Sequence, residues 1–289
     1  MPVNTREIAF ENAIEESLLG HGGFTRLAPE TFDSARCLFP DEVIAFIKAT
    51  QPKTWNALEK LHGTATATVV LDDLGKALAT GGSLAVLRHG FKCFGKPLRL
   101  AYFAPASGLN PETQALFAAN RLAVTRQLHF SAAHPKLSVD VTLVLNGLPI
   151  ATLELKNPLT GQNAEHAKEQ YRSDRDPREP LFAFKKRALV HFAVDPNEVA
   201  MTTKLDGKDT HFLPFNRGDA GGAGNPETPD NFKTAYLWEE VLARESLLDI
   251  LGRFIHLQVK EKKVGGKVFQ RESLIFPRYH QLDAVRRIE

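Results

Sequence analysis

"SVDVTLVLNGLPIATLELK", residues 138–156, reads as two β-strands folded about Asn146-Gly147, a dipeptide favoured in tight hairpin turns. The register of this hairpin decides what its sheet can do. A two-residue loop sets Val139 opposite Glu154, whereas a three-residue loop, Asn146-Gly147-Leu148, sets Asp140 there. Successive strand residues point to opposite faces, and only the second register sorts them cleanly. It gathers Val141, Leu143, Leu145, Ala151, Leu153 and Leu155 on one face, and Asp140, Thr142, Val144, Thr152, Glu154 and Lys156 on the other. A slip of one residue would send the apolar set to the wrong side. The odd loop is therefore expected, with Gly147 left-handed in a bulge.

That register brings two carboxylates and a lysine together. Carboxylates opposed across a strand pair repel, and a hard divalent cation reverses the sign. Mg²⁺ takes oxygen ligands, typically one or two carboxylates, and keeps several waters. Glu-x-Lys by itself is weak evidence, since about one chance match is expected in a chain this long. A second match, Glu261-Lys262-Lys263, lies in a plain charge run. The bland alternative is an exposed strand with an ordinary Glu154–Lys156 ion pair.

The chain has 289 residues, 43% hydrophobic and 24% charged, with a formal net charge of +2. This is globular composition, with no global basic field, so any nucleic-acid contact must come from a local patch. Cys37 and Cys93, far apart, form no metal-ligand spacing or disulfide framework, as expected of a cytoplasmic protein. No apolar run approaches membrane-spanning length.

Phe10, Ile14 and Leu18 form one helical stripe flanked by Glu7, Glu11 and Glu15. Helices are expected over 41–60, 110–128, 162–174 and 236–257. Strands are expected at "LRLAYF" (98–103), "QLHFSA" (127–132) and "RALVHFAV" (187–194), with a hairpin across 198–215. Residues 216–231, rich in Gly, Pro, Asn and Asp, read as a loop or linker. "GFKCFGKP" (90–97) falls short of a phosphate-binding loop because Pro97 replaces the hydroxyl residue, and reads as strand and turn.

Asp140 on one strand, Glu154-x-Lys156 on the next and a helix after it resemble the PD-(D/E)XK nuclease core, with "SVD" in place of Pro-Asp. The resemblance implies an α/β fold, a central mixed β-sheet flanked by helices. It implies that Asp140 and Glu154 are ligands for Mg²⁺, with the backbone carbonyl of Leu155 a third, and that Lys156 is catalytic. In the subgroup similar to RecB nucleases a Gln-x-x-x-Tyr motif follows on the next helix. Here Gln170 matches, Asp174 stands in the tyrosine position, and Tyr171 is displaced. The same subgroup places a glutamate from its first helix near the metal, for which Glu11 and Glu15 are both candidates.

From about residue 134 onward the order of segments resembles the restriction (R, motor) subunit of type I restriction–modification systems, and more loosely so before that. This implies an endonuclease domain over 1–215, a linker and helical connection over 216–260, and the start of a superfamily 2 (RecA-like) translocase over 261–289. "YHQLDAV" resembles the adenine-contacting segment that opens such motors, with Gln281 as the adenine reader and ATP as cofactor of the full-length subunit. The implied partners are double-stranded DNA and the modification and specificity subunits, without membrane. Arg172, Arg175, Arg178, Lys185, Lys186 and Arg187 are candidates for tracking DNA phosphates, against the alternative of an ion-paired surface. Two other readings stay open: a catalytically silent DNA- or subunit-binding module, and a stand-alone RecB-like repair nuclease. With no Gly-x-x-x-x-Gly-Lys-Ser/Thr loop in it, this chain is expected to hydrolyse no ATP. DNA-stimulated turnover by the pure chain, measured as phosphate release, would overturn the domain reading.

Overall fold

The hairpin expected from residues 138–156 lies at the middle of a seven-stranded sheet in the computed structural model, which describes residues 5–105, 109–157, 161–264 and 267–288. The chain runs through α1 (Thr5–Gly20), β1 (Thr25–Arg26), α2 (Pro40–Thr50), α3 (Pro52–His62), α4 (Thr66–Gly81) and α5 (Ser83–His89). A small hairpin, β2 (Phe91–Cys93) and β3 (Lys96–Leu98), precedes α6 (Pro111–Ala118) and β4 (Leu122–His129). The central hairpin is β5 (Ser138–Leu145) and β6 (Leu148–Leu155), followed by α7 (Ala164–Ser173), β7 (Val190–Val194), β8 (Val199–Thr202) and β9 (Leu213–Pro214). Then come α8 (Arg244–Asp249), β10 (His256–Val264), β11 (Lys267–Ile275) and α9 (Tyr279–Arg286). The sheet order is β1-β4-β5-β6-β7-β8-β9. It is mixed, as expected: β1 pairs β4 and β6 pairs β7 in parallel, and the other neighbours are antiparallel. The β6–α7–β7 crossover explains why a helix follows the Glu-x-Lys strand, since parallel neighbours need a long connection.

From Val141↔Leu153 to Leu143↔Ala151 the register is the one that aligns Asp140 with Glu154. The means differs from expectation. The loop has two residues, Asn146 (φ 50°) and Gly147 (φ 87°), with Leu145 paired to Leu148. The odd residue is absorbed inside β6, where Val144 pairs Pro149 and Leu143 pairs Ala151, skipping Ile150. Pro149 has no N–H to continue the ladder, which is where a bulge costs least.

Both faces of the sheet are covered, which corrects the expectation of a plain polar face. α1 lays Phe10, Ile14 and Leu18 against Val141, Leu143, Leu153 and Leu155 in one core. On the other side Tyr171 and Ala167 of α7, with Phe130 and Phe182, form a second core over Val144 and Ala193. Thr142, Thr152 and Glu154 are therefore fully buried. A polar row, Thr125–Thr142–Thr152–His191–Thr202, runs across five strands on the covered face. Strict alternation breaks near Asp140: Leu128 and Val139 belong to the second core although Val124 and Val141 belong to the first.

Elsewhere local signals were overridden. The 41–60 helix is split where Pro52 starts α3. The 110–128 helix ends at Ala118, and the β-branched run after it enters the sheet as β4. "LRLAYF" contributes only Leu98 to a strand. The 236–257 helix is interrupted by π-helical turns at Leu237–Val241 and Ile250–Phe254. The described residues of the basic run, 260–264 and 267–271, lie within the β10–β11 pair. The 90–97 segment is a strand pair, as expected. Residues 216–231 carry no helix or named strand, and beyond them Trp238 stacks edge-on against Phe10, and Phe276 against Phe192 and Phe215. No helix among the described residues is long and apolar enough to cross a membrane.

The hairpin turn is held by α2. Phe39 N–H donates to the Gly147 carbonyl at 2.8 Å, and a Cβ on Gly147 would lie 2.6 Å from Val43 Cγ2 and 2.7 Å from the Phe39 carbonyl oxygen. With positive φ as well, Gly147→Ala is expected to destabilise the fold by roughly 2–4 kcal/mol. Urea denaturation of the variant beside wild type measures this. A loss under about 1 kcal/mol would show that the turn can move off α2.

Candidate metal and active site

The site is built where β4, β5 and β6 leave the core. Asp140, partly exposed, accepts at Oδ2 a hydrogen bond of 2.8 Å from the Leu155 N–H. This pins β5 to the backbone of β6 at the residue expected to offer its carbonyl. Glu154 is 0% exposed. Its Oε1 accepts from Arg175 Nε at 2.7 Å, while its Oε2 is buried without a hydrogen-bond partner. Arg175 is held in turn by the Ser138 carbonyl, 2.7 Å from Nη2, and by the ring of Phe130. Burial first, and then the charge of Asp140, push the Glu154 carboxyl up to about 8, against the lowering effect of Arg175 and Lys156. Lys156 is half-buried at the end of β6, its N–H donating to the Val194 carbonyl at 2.9 Å.

The first helix contributes two buried glutamates with different duties. Glu15 is clamped by Arg26 at 2.8 and 2.9 Å and touches Arg126 at 3.2 Å. Glu11 takes two bonds from Arg126, at 3.0 and 2.7 Å, and one of 2.9 Å from Gln127 Nε2, which also reaches Asp140 Oδ1 at 3.3 Å. Glu11 is thus the glutamate linked to Asp140. Burial raises its pKa, and the Asp140 charge adds to this against Arg126 and Gln127.

On α7, Gln170 is half-exposed and Asp174 caps the helix end. Tyr171 is the residue α7 sends into the sheet: its hydroxyl meets Thr152 Oγ1 at 2.8 Å, which also bonds His191 Nδ1 at 2.8 Å. Burial lowers the His191 pKa to about 3, so that ring is neutral.

The six basic residues do not form one patch. Arg175 and Arg187 are buried, Arg187 donating to the carbonyls of Arg36 and Cys37. Lys185 pairs with Glu272, and Lys186 with the Ala79 carbonyl. Arg172 lies over Phe212 and pairs with Glu169, and Arg178 is exposed and paired with Asp176. Of the six, Arg172 and Arg178 line one groove together with Arg175, His134 and Asp174. Gln281 is exposed and accepts at its side-chain oxygen from the Arg278 N–H at 2.9 Å, capping α9.

Among the described residues no three His, Cys, Asp or Glu side chains are grouped to hold one ion. The side-chain donor set is two carboxylates, which suits Mg²⁺ better than a cation needing an all-protein cage. The buried, unpartnered Oε2 of Glu154 fits such an ion, because an orphaned acceptor of this kind is otherwise a net cost. The sequence pattern pointed to Asp140, Glu154 and Lys156 but not to Arg175, Arg126 or Gln127, whose roles depend on contacts 21 to 116 residues apart.

A mixed α/β sheet with two carboxylates and a lysine at the end of its central hairpin is compatible with a nuclease core. Residues 110–210 match the family described as the type I restriction enzyme R protein N terminus. That stretch holds the central hairpin and α7, and over it the chain is similar to this family. No curated protein matches the chain.

Removing Arg175 leaves Glu154 buried and unpaired, so Arg175→Ala is expected to cost about 3–5 kcal/mol. Arg175→Met combined with Glu154→Gln removes both charges and is expected to recover most of that loss. Chemical denaturation of the three proteins tests it, and equal losses in single and double variants would show that the pair is not coupled.

Proposed function

We propose that this chain is the Mg²⁺-dependent endonuclease region of a type I restriction enzyme R subunit. It cuts double-stranded DNA without regard to sequence after ATP-driven translocation by motor domains, in complex with modification and specificity subunits. The observation that carries this reading is the Glu154 oxygen, Oε2, left without a partner in the buried interior beside Asp140.

Asp140 and Glu154 are the residues that would hold the cation, with the Leu155 carbonyl between them in sequence. Bound there, a divalent ion would polarise a phosphodiester and make a water nucleophilic at neutral pH. The chain's own residues supply the rest. Arg175 fixes the Glu154 carboxylate through Oε1, leaving Oε2 as the oxygen free to serve. The Leu155 N–H does the same for Asp140 through Oδ2. Lys156, next along β6 on the side of Glu154, supplies positive charge for the phosphate oxygens as negative charge builds on them. Arg172 and Arg178, in the adjoining groove, offer sequence-independent phosphate contacts. Gln281, now turned back on its own helix end, would have to release the Arg278 N–H to contact a base.

Asp140→Ala and Glu154→Gln in the complete enzyme are expected to abolish cleavage of circular DNA and to leave ATP turnover intact. Lys156→Ala should reduce cleavage by roughly 10²–10³-fold, as for loss of one charge-stabilising donor. Chelation of Mg²⁺ stops cutting in every case. Cleavage at wild-type rate by any of the three would show that this strand carries only an ion-paired surface. Joint loss of ATPase and cutting would instead mark a folding defect.

A further inference from the structure

Gln127 stands in an unusual place. Its φ of 48° lies in the left-handed region, which residues other than glycine rarely occupy. It interrupts β4 between Arg126, paired with Val141, and Leu128, paired with Val139. Consecutive residues of a regular strand point to opposite faces. Here Arg126 and Gln127 both reach Glu11, at 2.7 Å and 2.9 Å. The left-handed turn is what allows it. The amide nitrogen of Gln127 then lies between two carboxylates, Glu11 Oε1 at 2.9 Å and Asp140 Oδ1 at 3.3 Å. Its own oxygen is held by the Ser138 hydroxyl at 3.0 Å, which orients the amide with its donors toward the acids.

A strained backbone kept beside a carboxylate cluster is the kind of local cost that persists where it positions a working group. The amide relieves repulsion between Glu11 and Asp140 in the way a cation would, but with only the partial charge of two N–H bonds. We propose that Gln127 is a positioning residue that holds Asp140 Oδ1 beside Glu11 while the cation site formed with Glu154 is without metal, and gives up its contact with Asp140 when the metal enters. The inference rests on the metal reading above and deepens it. Gln127 keeps the empty site assembled and sets how much divalent ion is needed to fill it. Wild-type affinity is therefore lowered by the hydrogen bonding that the metal must displace.

The test uses the whole chain and MnCl₂, a cation that oxygen ligands accept as they do Mg²⁺, titrated by calorimetry with melting curves alongside. Gln127→Met keeps the side-chain length and the backbone strain and removes only the amide. It is expected to bind Mn²⁺ about tenfold tighter, a ratio equal to ~1.4 kcal/mol and to one or two net hydrogen bonds. It should also melt lower than wild type without metal and level with it at saturating Mn²⁺. Gln127→Glu, which replaces the donor with a third carboxylate, should tighten binding further and lower the metal-free melting point more. Unchanged or weaker Mn²⁺ binding by Gln127→Met, with wild-type binding intact and abolished by Asp140→Ala, overturns this inference and leaves the metal site standing. Absence of Mn²⁺ binding in wild type overturns the metal site and this inference with it.

Discussion

Glu154 is fully buried, and the site depends on how that charge is answered. One oxygen is answered by Arg175, itself anchored by the Ser138 carbonyl and the Phe130 ring. The other oxygen is not answered at all. A buried ion pair of this kind is weak evidence for stability, because desolvation offsets much of the attraction. It is better evidence for orientation: an arginine with these two anchors fixes one carboxylate oxygen and leaves the other open. The rise of the Glu154 pKa to about 8 expresses the same imbalance in terms of proton affinity.

That arrangement requires Asp140 and Glu154 to be in register, and the register comes from an unexpected division of labour in the hairpin. Asn146 and Gly147 make a tight two-residue turn because Phe39 and Val43 press on it. Such a turn alone would bring Val139 opposite Glu154. The bulge at Ile150 restores the odd offset, and from Ala151 onward β6 runs in the register that places its charged residues against the end of β5. The core face and the acidic face are thus set by one skipped residue.

The N-terminal helix closes the site from the other side. Its apolar stripe fastens it to the first core, and that docking carries Glu11 and Glu15 out of water and onto Arg126. Glu15 is saturated by two arginines, while Glu11 keeps a link to Asp140 through Gln127. Two glutamates one helical turn apart therefore differ in what they can offer a ligand. The difference lies in their neighbours rather than in the residues themselves.

Much of the central hairpin was legible in residues 138–156, because period-two alternation and an Asn-Gly turn are local and one face had to be apolar. The helix after β6 and the α1 stripe were legible for the same reason, each being a pattern repeated within a few residues, whereas the mixed sheet was implied by the family resemblance alone. The reading of 110–128 as helix failed where the demands of the sheet outweighed local propensity, and the 236–257 helix broke where packing imposed π-turns. The burial of the acidic face, the pairing of Arg175 with Glu154 and the choice of Glu11 over Glu15 were decided only by tertiary structure. They depend on which distant side chain fills the space above a strand, and a charge written in a sequence does not show whether water or an arginine will stand beside it. An arginine in a charged loop can be solvent-exposed, as Arg178 is, or, as with Arg175 and Arg187, drawn inside to neutralise a carboxylate or tie down backbone carbonyls.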